Sequence, residues 1–375
     1  MQMLVANAGS SSLKVSVIGD DDVTRATTEL GNPMSAGVDD ALIEFAGTLG
    51  DDIAAAGHRF VHGGPELRTT ALVNDRVRLQ LGAAAEIAPL HVPAALHVLD
   101  LLRSRLNVPH VACFDTAFHT SMPPAASTYA VPPRWRERYG MRRYGFHGLS
   151  CVWSLRRAAE MLRRDPHELQ LVIAHLGAGA SVTAVRNAGS VDTTMGFTPL
   201  EGLVMATRSG SVDPGALLWL QAARGMSFAE VSDELEHASG LRGLAGTADM
   251  REVLQRASHR DSAAQLARDV YVHRASALTA AMAASLDRID ALIFTGGVGE
   301  NASEIVQAIC SRLSTLGVPR VGAFRGGEDS VISTEQSAVA VLVIHAREDL
   351  AIAHEVRQLL MAPRTVPSAH SGTAR

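Results

Sequence analysis

The feature that most constrains the fold is a pattern that occurs twice: an apolar run, a loop of small residues and a returning apolar run. The first copy comprises 3–6, the loop 7–12 and 13–17, and the second comprises 169–174, the loop 175–181 and 182–185. Apolar runs that flank Gly, Ser and Asn in this way are typical of a β-hairpin. Because mixed strand and helix patterns follow each copy, the sequence predicts a layered α/β fold whose two halves each open with a hairpin.

Helix signals are clearest in the second half of the chain. Asp213 is a favourable N-cap, Pro214 suits the first helical position, and Gly225 fits the C-terminal stop. Ser227 and Glu230 have the spacing of a capping box for the next helix, predicted over 228–237. Two consecutive helices are therefore expected in this region.

A third small-residue loop, GGVGE at 296–300, follows the apolar run 291–294. Asn301 and Glu304 then have the spacing of a helix cap and its capping-box partner. A strand, a glycine turn and a helix N-terminus together offer free backbone N–H groups to an anion. One such loop is a weak signal, because glycine turns are common before helices. Three loops at strand ends favour a nucleotide or phosphoryl site between two α/β halves.

Length and composition indicate a globular protein of two domains. The chain has 375 residues, and this length is more than one core usually serves. Of these residues 47% are hydrophobic and 19% are charged, which is typical of a globular protein. The Ala-rich stretch 262–286 predicts a long packed helix, whereas 362–375 has hardly any apolar content and is predicted to be disordered. The net charge of −5 comes without a long run of Lys or Arg, so nucleic acid and membrane surfaces are not expected partners.

The cysteines and the apolar runs bear on the cellular compartment. Cys113, Cys151 and Cys310 are widely spaced and odd in number, which argues against a disulfide framework or a structural zinc site. No apolar run approaches the roughly 20 residues of a membrane helix, and the first residues lack the basic region of a signal peptide. These features predict a cytoplasmic protein.

Seven stretches of the chain resemble the acetate kinase family, in that family's order. They are NAGSSSLK (7–14), GHRFVHGG (57–64), APLH (88–91), FDTAFHTSMP (114–123), RRYGFHG (142–148), VDTTMGFTPLEGLVMATRSG (191–210) and TGGVGEN (295–301). The resemblance implies a two-domain, actin-like (ribonuclease H-like) fold with duplicated βββαβαβα cores and an active site in the interdomain cleft. It implies an N-terminal domain at 1–119 plus 347–361, a C-terminal nucleotide-binding domain at 120–346, and a homodimer formed through the second domain.

The reaction implied by this resemblance is reversible transfer of the ATP γ-phosphoryl group to acetate, giving acetyl phosphate and ADP by direct in-line transfer. Charge in such a transition state spreads over the phosphoryl oxygens, so alignment and electrostatic stabilisation dominate catalysis. Arg59 and Arg208 match the positions that hold the carboxylate and the phosphoryl group in flight, and His147 matches a position that stabilises the transition state. Taken singly, an arginine is usually a surface or salt-bridge residue, and a histidine beside Gly and Phe is often structural.

The resemblance also implies a Mg²⁺ site, with Mn²⁺ as a possible substitute, at Asn7 and Glu348 with the catalytic Asp115 beside them. Magnesium takes few protein oxygens and keeps several waters and phosphate oxygens, so such a small set suffices. The competing structural roles are a turn cap for Asp115 and a first-turn helix carboxylate for Glu348.

Substrate and nucleotide residues follow from the same resemblance. The substrate set consists of Arg59, His91 and an apolar pocket for the acetate methyl group at Val61, Leu90, Phe146 and Pro199. The nucleotide set consists of His175, Gly177 and Gly179 near the phosphates, and of Asp249, Arg251, Gly297, Val298 and Asn301 near the adenosine. Val61 is larger than the residue usual in related propionate kinases and favours acetate. One methylene is worth only about 1–3 kcal/mol, so propionate is expected as a slower substrate.

The loop 175–181 departs from the family where the family usually has an asparagine and this chain has Ala178. A side-chain amide donor is therefore missing, and a lost donor that faces the transition state costs on the order of 2.7–4 kcal/mol. The other departures are Val92, the stretch GLSC at 148–151, Ala206 and Arg347. They leave open a propionate or longer-chain carboxylate kinase, a pyrophosphate-dependent acyl kinase, and a non-catalytic ligand-sensing protein.

Overall fold

The computed structural model describes residues 2–9, 12–49 and 52–362. Within these ranges the first sheet has six strands: β1 (Gln2–Ala8), β2 (Leu13–Ile18), β3 (Thr24–Leu30), β4 (Ile53–Phe60), β5 (Ala71–Leu72) and β6 (His110–Phe114). Their order is β3-β2-β1-β4-β6-β5. Strands β1 to β3 form an antiparallel meander, β4 and β6 are parallel to β1, and β5 is antiparallel to β6.

The second sheet repeats this topology. Its six strands in the described ranges are β7 (Gln170–Leu176), β8 (Ala180–Arg186), β9 (Gly189–Thr193), β10 (Ala291–Thr295), β11 (Ser330–Val331) and β12 (Ala340–Val343). Their order is β9-β8-β7-β10-β12-β11, again with an antiparallel meander, two further parallel strands and an antiparallel edge strand. Both predicted hairpins, β1–β2 and β7–β8, are confirmed, and so is the duplicated α/β fold.

Helices cover the sheets. Those that precede the second sheet are α1 (Val38–Gly47), α2 (Asp75–Ala84), α3 (Val92–Arg105), α4 (Pro124–Ser127), α5 (Pro133–Tyr139) and α6 (Gly148–Leu162). Those that follow its first three strands are α7 (Pro214–Arg224), α8 (Phe228–His237), α9 (Gly240–Ala245), α10 (Met250–Ser258), α11 (Ser262–Ala283), α12 (Gly296–Asn301), α13 (Ser303–Arg312) and α14 (Glu348–Met361). Short 3₁₀ turns lie at 117–121, 166–168 and 314–316. No helix in the described ranges is both long and apolar enough to cross a membrane.

Two helices, α6 and α14, link the halves of the molecule. Helix α14 packs Leu350, Ile352 and Val356 against strands of the first sheet, in a buried cluster with Met3 and Val5. Helix α6 packs against the second sheet and also contacts α14. Both sheets are therefore covered by helices that touch each other.

The predicted helices α7, α8 and α11 are confirmed, with one difference in length. Asp213 caps α7 through the Gly215 N–H, Gly225 ends it with a φ of 71°, and Ser227 and Glu230 form the predicted capping box of α8. The predicted long helix is α11, three residues shorter at its C-terminus than expected. The predicted tail lies outside the described residues from 363 onward.

The predicted glycine turn and Asn301 cap are wrong. The chain is already helical from Gly296 as α12, Asn301 is its last residue, and its Nδ2 donates to the Gly297 carbonyl. The next helix begins after Ala302, without a side-chain cap. Helix α12 starts directly after β10 because Gly296, at a φ of 77°, passes within contact of the Leu176 backbone, where a Cβ atom would lie 2.9 Å from its carbonyl.

Candidate active site

Four of the predicted site residues meet at one edge of the first sheet, three from the ends of its strands and one from helix α14. Asn7 lies near the end of β1, Arg59 near the end of β4, Asp115 directly after β6, and Glu348 at the start of α14. Because β1, β4 and β6 are parallel, their carboxyl ends open on the same side. That side is where α/β sheets commonly bind ligands.

Arg59 is held at the centre of this group by charge-assisted hydrogen bonds. Its Nη2 and Nε donate to the two carboxylate oxygens of Asp115 at 2.6 and 3.2 Å, and its Nη1 donates to Asn7 Oδ1 at 3.2 Å. Glu348 Oε2 lies 3.9 Å from Arg59 Nε and accepts from Asn7 Nδ2 at 2.9 Å. A bidentate carboxylate pair of this kind fixes the plane of a guanidinium group. Asp115 therefore orients Arg59 and does not cap a turn.

Electrostatics keep this cluster ionised. Burial alone would lower the pKa of Arg59. The negative charges of Asp115 and Glu348 together have the larger effect, so the pKa of Arg59 is raised. Burial alone would also raise the pKa of Glu348, yet the positive charge of Arg59, with His175 and the Asn7 hydrogen bond, lowers it below its usual value. For Asp115, burial is the larger effect and raises its pKa to about 6 against the opposing pull of Arg59.

Two stacked histidines, one directly before α6 and one near the end of β7, face this cluster. The rings of His147 and His175 lie 4.2 Å apart between centroids, with 19° between their planes. His147 Nδ1 pairs with Ser181 Oγ at 3.0 Å, and His175 Nδ1 pairs with Ser150 Oγ at 2.8 Å. Burial, the neighbouring His175 and the arginine charges hold the pKa of His147 well below its usual value. The imidazole of His147 is therefore neutral at physiological pH.

The backbone around His147 is built for close approach. His147 has a φ of 57°, a conformation uncommon for a residue with a side chain and often found at functional sites. The next residue, Gly148, donates its N–H to the Asp115 carbonyl at 2.9 Å, and a Cβ atom at Gly148 would lie 2.1 Å from that carbonyl oxygen. This glycine therefore brings His147 and Asp115 together.

Arg208 reaches the same place from the other side. Its Nη1 donates to the Pro199 carbonyl at 2.6 Å. A Cβ atom added at Gly179 would lie 2.9 Å from Arg208 Nη2 and 3.1 Å from His147 Nε2. Burial, followed by the charges of Arg59 and Arg208, lowers the pKa of His91 to about 4, so His91 is within electrostatic reach of both arginines.

A cleft of about 870 Å³ adjoins this group, and most of the predicted nucleotide residues line it. They are Gly177, Asp249, Arg251, Gly297, Val298 and Asn301. The remaining wall is largely apolar and consists of Ala178, Ala206, Leu241, Ala248, Met250, Leu254 and Ala302. Volumes of this order are typical of small-molecule sites that bury most of their ligand.

The loop 175–181 connects the cleft to the charged cluster. Gly177 donates its N–H to the Gly179 carbonyl, and a Cβ atom at Gly177 would lie 3.4 Å from His175 Nε2 and 3.9 Å from Gly297 N. The Ala178 carbonyl accepts from Ala206 N at 3.1 Å, two residues before Arg208. The loop therefore runs from the cleft wall to the two catalytic candidates His147 and Arg208.

Two of the predicted adenosine residues also have structural roles. Asp249 is the N-cap of α10, where its side chain accepts from Arg251 N at 2.9 Å. The Arg251 guanidinium pairs with the same carboxylate at 2.6 Å, and 90% of its side chain is exposed at the rim of the cleft. The pair can contact a ligand only from the cleft edge.

The predicted acetate pocket is only partly assembled. Val61 and Phe146 are buried in one apolar cluster, with 6% and 1% of their surface exposed. Pro199 is half-buried and lies next to the site through its bond to Arg208. Leu90, in contrast, is 48% exposed.

The carboxylates fit a magnesium ion of the expected kind. In the ranges that the structure describes, no group of three or more His, Cys, Asp or Glu side chains is placed to hold a metal ion. Glu348 remains ionised, and Asn7 has an amide oxygen that here accepts from Arg59 Nη1, while its amide nitrogen donates to Glu348. Because Mg²⁺ is commonly held by one or two carboxylates plus water and phosphate oxygens, this donor set suits the ion.

Comparison with known proteins gives the family. Residues 38–354 match the profile of the Acetokinase family. The chain belongs to this family. An acetate kinase of Synechococcus sp. is 41% identical and covers 96% of this chain and 99% of its own, and one of Streptomyces coelicolor is 39% identical over 96% and 97%.

Two solved structures agree with this chain in fold. The Porphyromonas gingivalis acetate kinase superimposes with a TM-score of 0.86 at 32% identity, over 96% of this chain and 99% of that one. A Francisella tularensis propionate kinase has the same TM-score at 34% identity, over 94% and 98%. The resemblance found in the seven sequence stretches is confirmed.

The departures from the family pattern fall in different places. Ala178 and Ala206 both line the cleft. Val92 does not, because it is fully buried in the first core at the start of α3. Arg347 pairs with Asp349 at 3.0 Å and donates to Thr24 Oγ1, which places it beside α14.

Two site residues were missed from the sequence: Ser181 and Ser150, the partners of the stacked histidines. Ser181 closes the loop 175–181, and Ser150 lies in the altered stretch GLSC, so both stood in motifs already singled out. Their role depends on pairings across 34 and 25 residues, and no local pattern indicates such pairings.

Proposed function

We propose that this acetokinase-family protein catalyses reversible transfer of the γ-phosphoryl group from ATP to acetate, giving acetyl phosphate and ADP. The proposal depends mainly on the following observation. Two arginines and a neutral imidazole from different elements converge at the mouth of a cleft large enough for a nucleotide. Fixed positive charge around a dry pocket is what an in-line phosphoryl transfer needs.

The step itself requires no base. An acetate oxygen attacks the γ-phosphorus and forms the new O–P bond as the bond from that phosphorus to the ADP oxygen breaks. The carboxylate is already ionised at neutral pH, so no proton has to be removed. We assign Arg59 to the acetate carboxylate and Arg208 to the moving phosphoryl group, because Asp115 fixes the first and Gly179 gives the second room beside His147.

His147 acts as a neutral hydrogen-bond donor in this proposal. With the Ser181 hydroxyl donating to Nδ1, the proton of the ring sits on Nε2, which faces Gly179 and Arg208. That N–H can donate to a phosphoryl oxygen in the transition state. Asn7 and Glu348 would hold Mg²⁺, which supplies charge neutralisation of the phosphates when bound.

A nucleotide is favoured over pyrophosphate as the donor. The cleft has an apolar wall of Leu241, Met250 and Leu254, which suits a base and ribose better than a second inorganic phosphate. Gly297 has open space where a Cβ atom would stand, so a ring can lie against its backbone. The likeness to a propionate kinase of known structure keeps propionate as the second candidate acceptor.

Trapping of the acyl phosphate tests the proposal. Purified protein with MgATP is given acetate, propionate or butyrate, and the product is captured as its hydroxamate. We expect acetate to give the highest kcat/KM and Arg208→Ala to lower it by at least about 100-fold, as loss of a transition-state donor does. Arg312→Ala removes an exposed arginine at the end of α13 and is the matched control.

The outcomes separate the alternatives. Acyl phosphate from pyrophosphate but not from ATP would refute the nucleotide donor. Binding of ATP without product from any acid would indicate a ligand-sensing protein. A preference for propionate would move the assignment to a propionate kinase without changing the site.

We also propose a homodimer, formed through α7 and α8. This pair of helices exposes Leu218, Trp219 and Phe228 to 67%, 51% and 78%, and α7 has no buried residue. Sedimentation velocity tests the proposal: Phe228→Asp should give monomers. Leu79→Asp, at a side chain 75% exposed on α2, should leave the dimer intact. A monomeric parent protein would refute it.

The remaining assignments stay predictions. The domain division at 1–119 plus 347–361 and 120–346 is supported by the packing of α14 on the first sheet. The cytoplasmic location rests on three cysteines that are free and buried. The expected partners are acetate or acetyl phosphate and ATP or ADP.

A further inference from the structure

A second cavity, of about 440 Å³, adjoins the two segments that carry Asp115 and His147, here called the catalytic segments. One wall is the loop 64–68, which follows β4. The other is formed by parts of 116–144, including the 3₁₀ turn 117–121 and helix α5. Its lining shares no residue with the cleft assigned to the nucleotide.

Within the described ranges, three arginines line this cavity and no acidic residue does. They are Arg68 from the loop, Arg136 from α5 and Arg142 from the segment before His147. Among the residues that the structure describes, none of the three forms an ion pair with a carboxylate. Arg143, the neighbour of Arg142 in sequence, behaves differently, because it pairs with Glu201 at 2.7 Å.

The arrangement is electrostatically unfavourable without a ligand. Burial and the neighbouring Arg68 lower the pKa of Arg142, so its charge costs energy where it stands. The Arg142 guanidinium lies 5.8 Å above the Tyr144 ring, a contact that shields it only in part. Positive charge that lacks an ion-pair partner attracts anions to such a pocket.

The rest of the wall suits a small carbon skeleton. Leu67, Met122, Met141 and Tyr144 provide apolar surface, and Thr116, Thr120 and Thr128 provide hydroxyl groups. A volume of this size is at the small end of known ligand pockets. Three separate guanidinium groups suit a ligand that carries at least two anionic groups, since each group can take a bidentate partner.

We propose that this arginine cavity is a second ligand site, which binds a small, multiply charged oxyanion such as a tricarboxylate or a phosphorylated carboxylic acid. Its wall is continuous with the catalytic segments. Thr116 follows Asp115, and His119 pairs with the carbonyl of Phe146, which precedes His147. The site is separate from the acetate and nucleotide sites, and binding there does not depend on the proposed reaction.

Calorimetric titration tests this site. The full-length protein is first saturated with Mg²⁺ and a non-hydrolysable ATP analogue to occupy the cleft, then titrated with citrate and with 3-phosphoglycerate at low salt. We expect at least one probe to bind with a Kd of about 1 mM or tighter, and acetate not to bind in this range. Arg136→Gln and Arg142→Gln should each weaken binding about tenfold or more, as loss of a hydrogen bond to a charged group does.

Arg134→Gln is the matched control. It removes the same charge from the same helix, but Arg134 is exposed and does not line the cavity, so binding should stay within about twofold. Arg136→Gln is the decisive variant if Arg142→Gln fails to fold, since Arg136 contributes little to the core. The proposal is overturned if neither probe binds, if the ATP analogue displaces the probe, or if Arg134→Gln weakens binding as much as Arg136→Gln.

Discussion

His119 should make the protein markedly less stable in mild acid. The side chain is 1% exposed, its Nε2–H donates to the Phe146 carbonyl at 2.9 Å, and its Nδ1 accepts from Ser190 Oγ at 2.9 Å. A carbonyl can only accept, so the ring proton sits on Nε2, and burial outweighs this bond in keeping the ring neutral. Burial lowers the pKa of His119 from 6.5 to about 4.

Proton linkage gives the sign and the size of the change in the free energy of unfolding with pH. Below about pH 6.5 the unfolded chain binds a proton at this histidine while the folded protein does not, so stability falls as the pH falls toward 4. At about 1.4 kcal/mol for each pKa unit, the full loss is about 3 kcal/mol, of which about 2 kcal/mol is reached by about pH 5. Above about pH 7 the contribution is fully present.

The test compares the parent with His119→Gln by urea unfolding at about pH 7.5 and about pH 5. Glutamine can keep the bond to the Phe146 carbonyl but cannot titrate. At the higher pH the variant should be less stable than the parent. On acidification its free energy of unfolding should fall by about 2 kcal/mol less than that of the parent. Histidines common to both proteins cancel, and His167→Gln controls for removal of an exposed imidazole. An equal fall in parent and variant would refute the reasoning.

Two glycines yield further predictions, for which Gly31→Ala, with open space around its Cβ position, is the shared control. Gly179→Ala should lower kcat by about 100-fold with an unchanged melting temperature, because the new methyl group would lie 2.9 Å from Arg208 Nη2. Steady-state kinetics beside thermal unfolding check it, and full activity would contradict it. Gly57→Ala should cost about 1–3 kcal/mol of stability, because the methyl group would lie 2.6 Å from Ile352 Cγ2. Chemical unfolding measures this, and a neutral result would mean that α14 can shift away from β4.

Local patterns were enough to predict the elements that local chemistry decides. The paired strands of the two hairpins, the Asp213 cap and the capping box at Ser227 each depend on residues a few positions apart, and the structure has all of them. Such elements are stabilised mainly by their own backbone and side-chain bonds. Sequence reasoning therefore succeeds where the decisive contacts are short-range.

The glycine-rich stretch 296–300 shows where that reasoning ends. Glycine is unfavourable inside a helix, so a turn was the natural expectation. The structure has a helix because Glu300 Oε1 accepts from both Gly296 N and Ala346 N, at 2.8 and 2.9 Å, which ties α12 to the segment before α14. The second of these bonds spans 46 residues, and no window of the sequence reveals it.

The two arginines of the site differ in a way that bears on the order of events. Arg59 is bound through Nε and Nη2 to Asp115 and through Nη1 to Asn7, so its position is set before any ligand arrives. Arg208, among the described residues, donates to one group, the Pro199 carbonyl. Its Nη2 stands beside Gly179, free to follow a phosphoryl group as it moves. A rigid anchor for the acceptor and a donor with room to move suit a transfer in which the acceptor stays in place and the phosphorus travels.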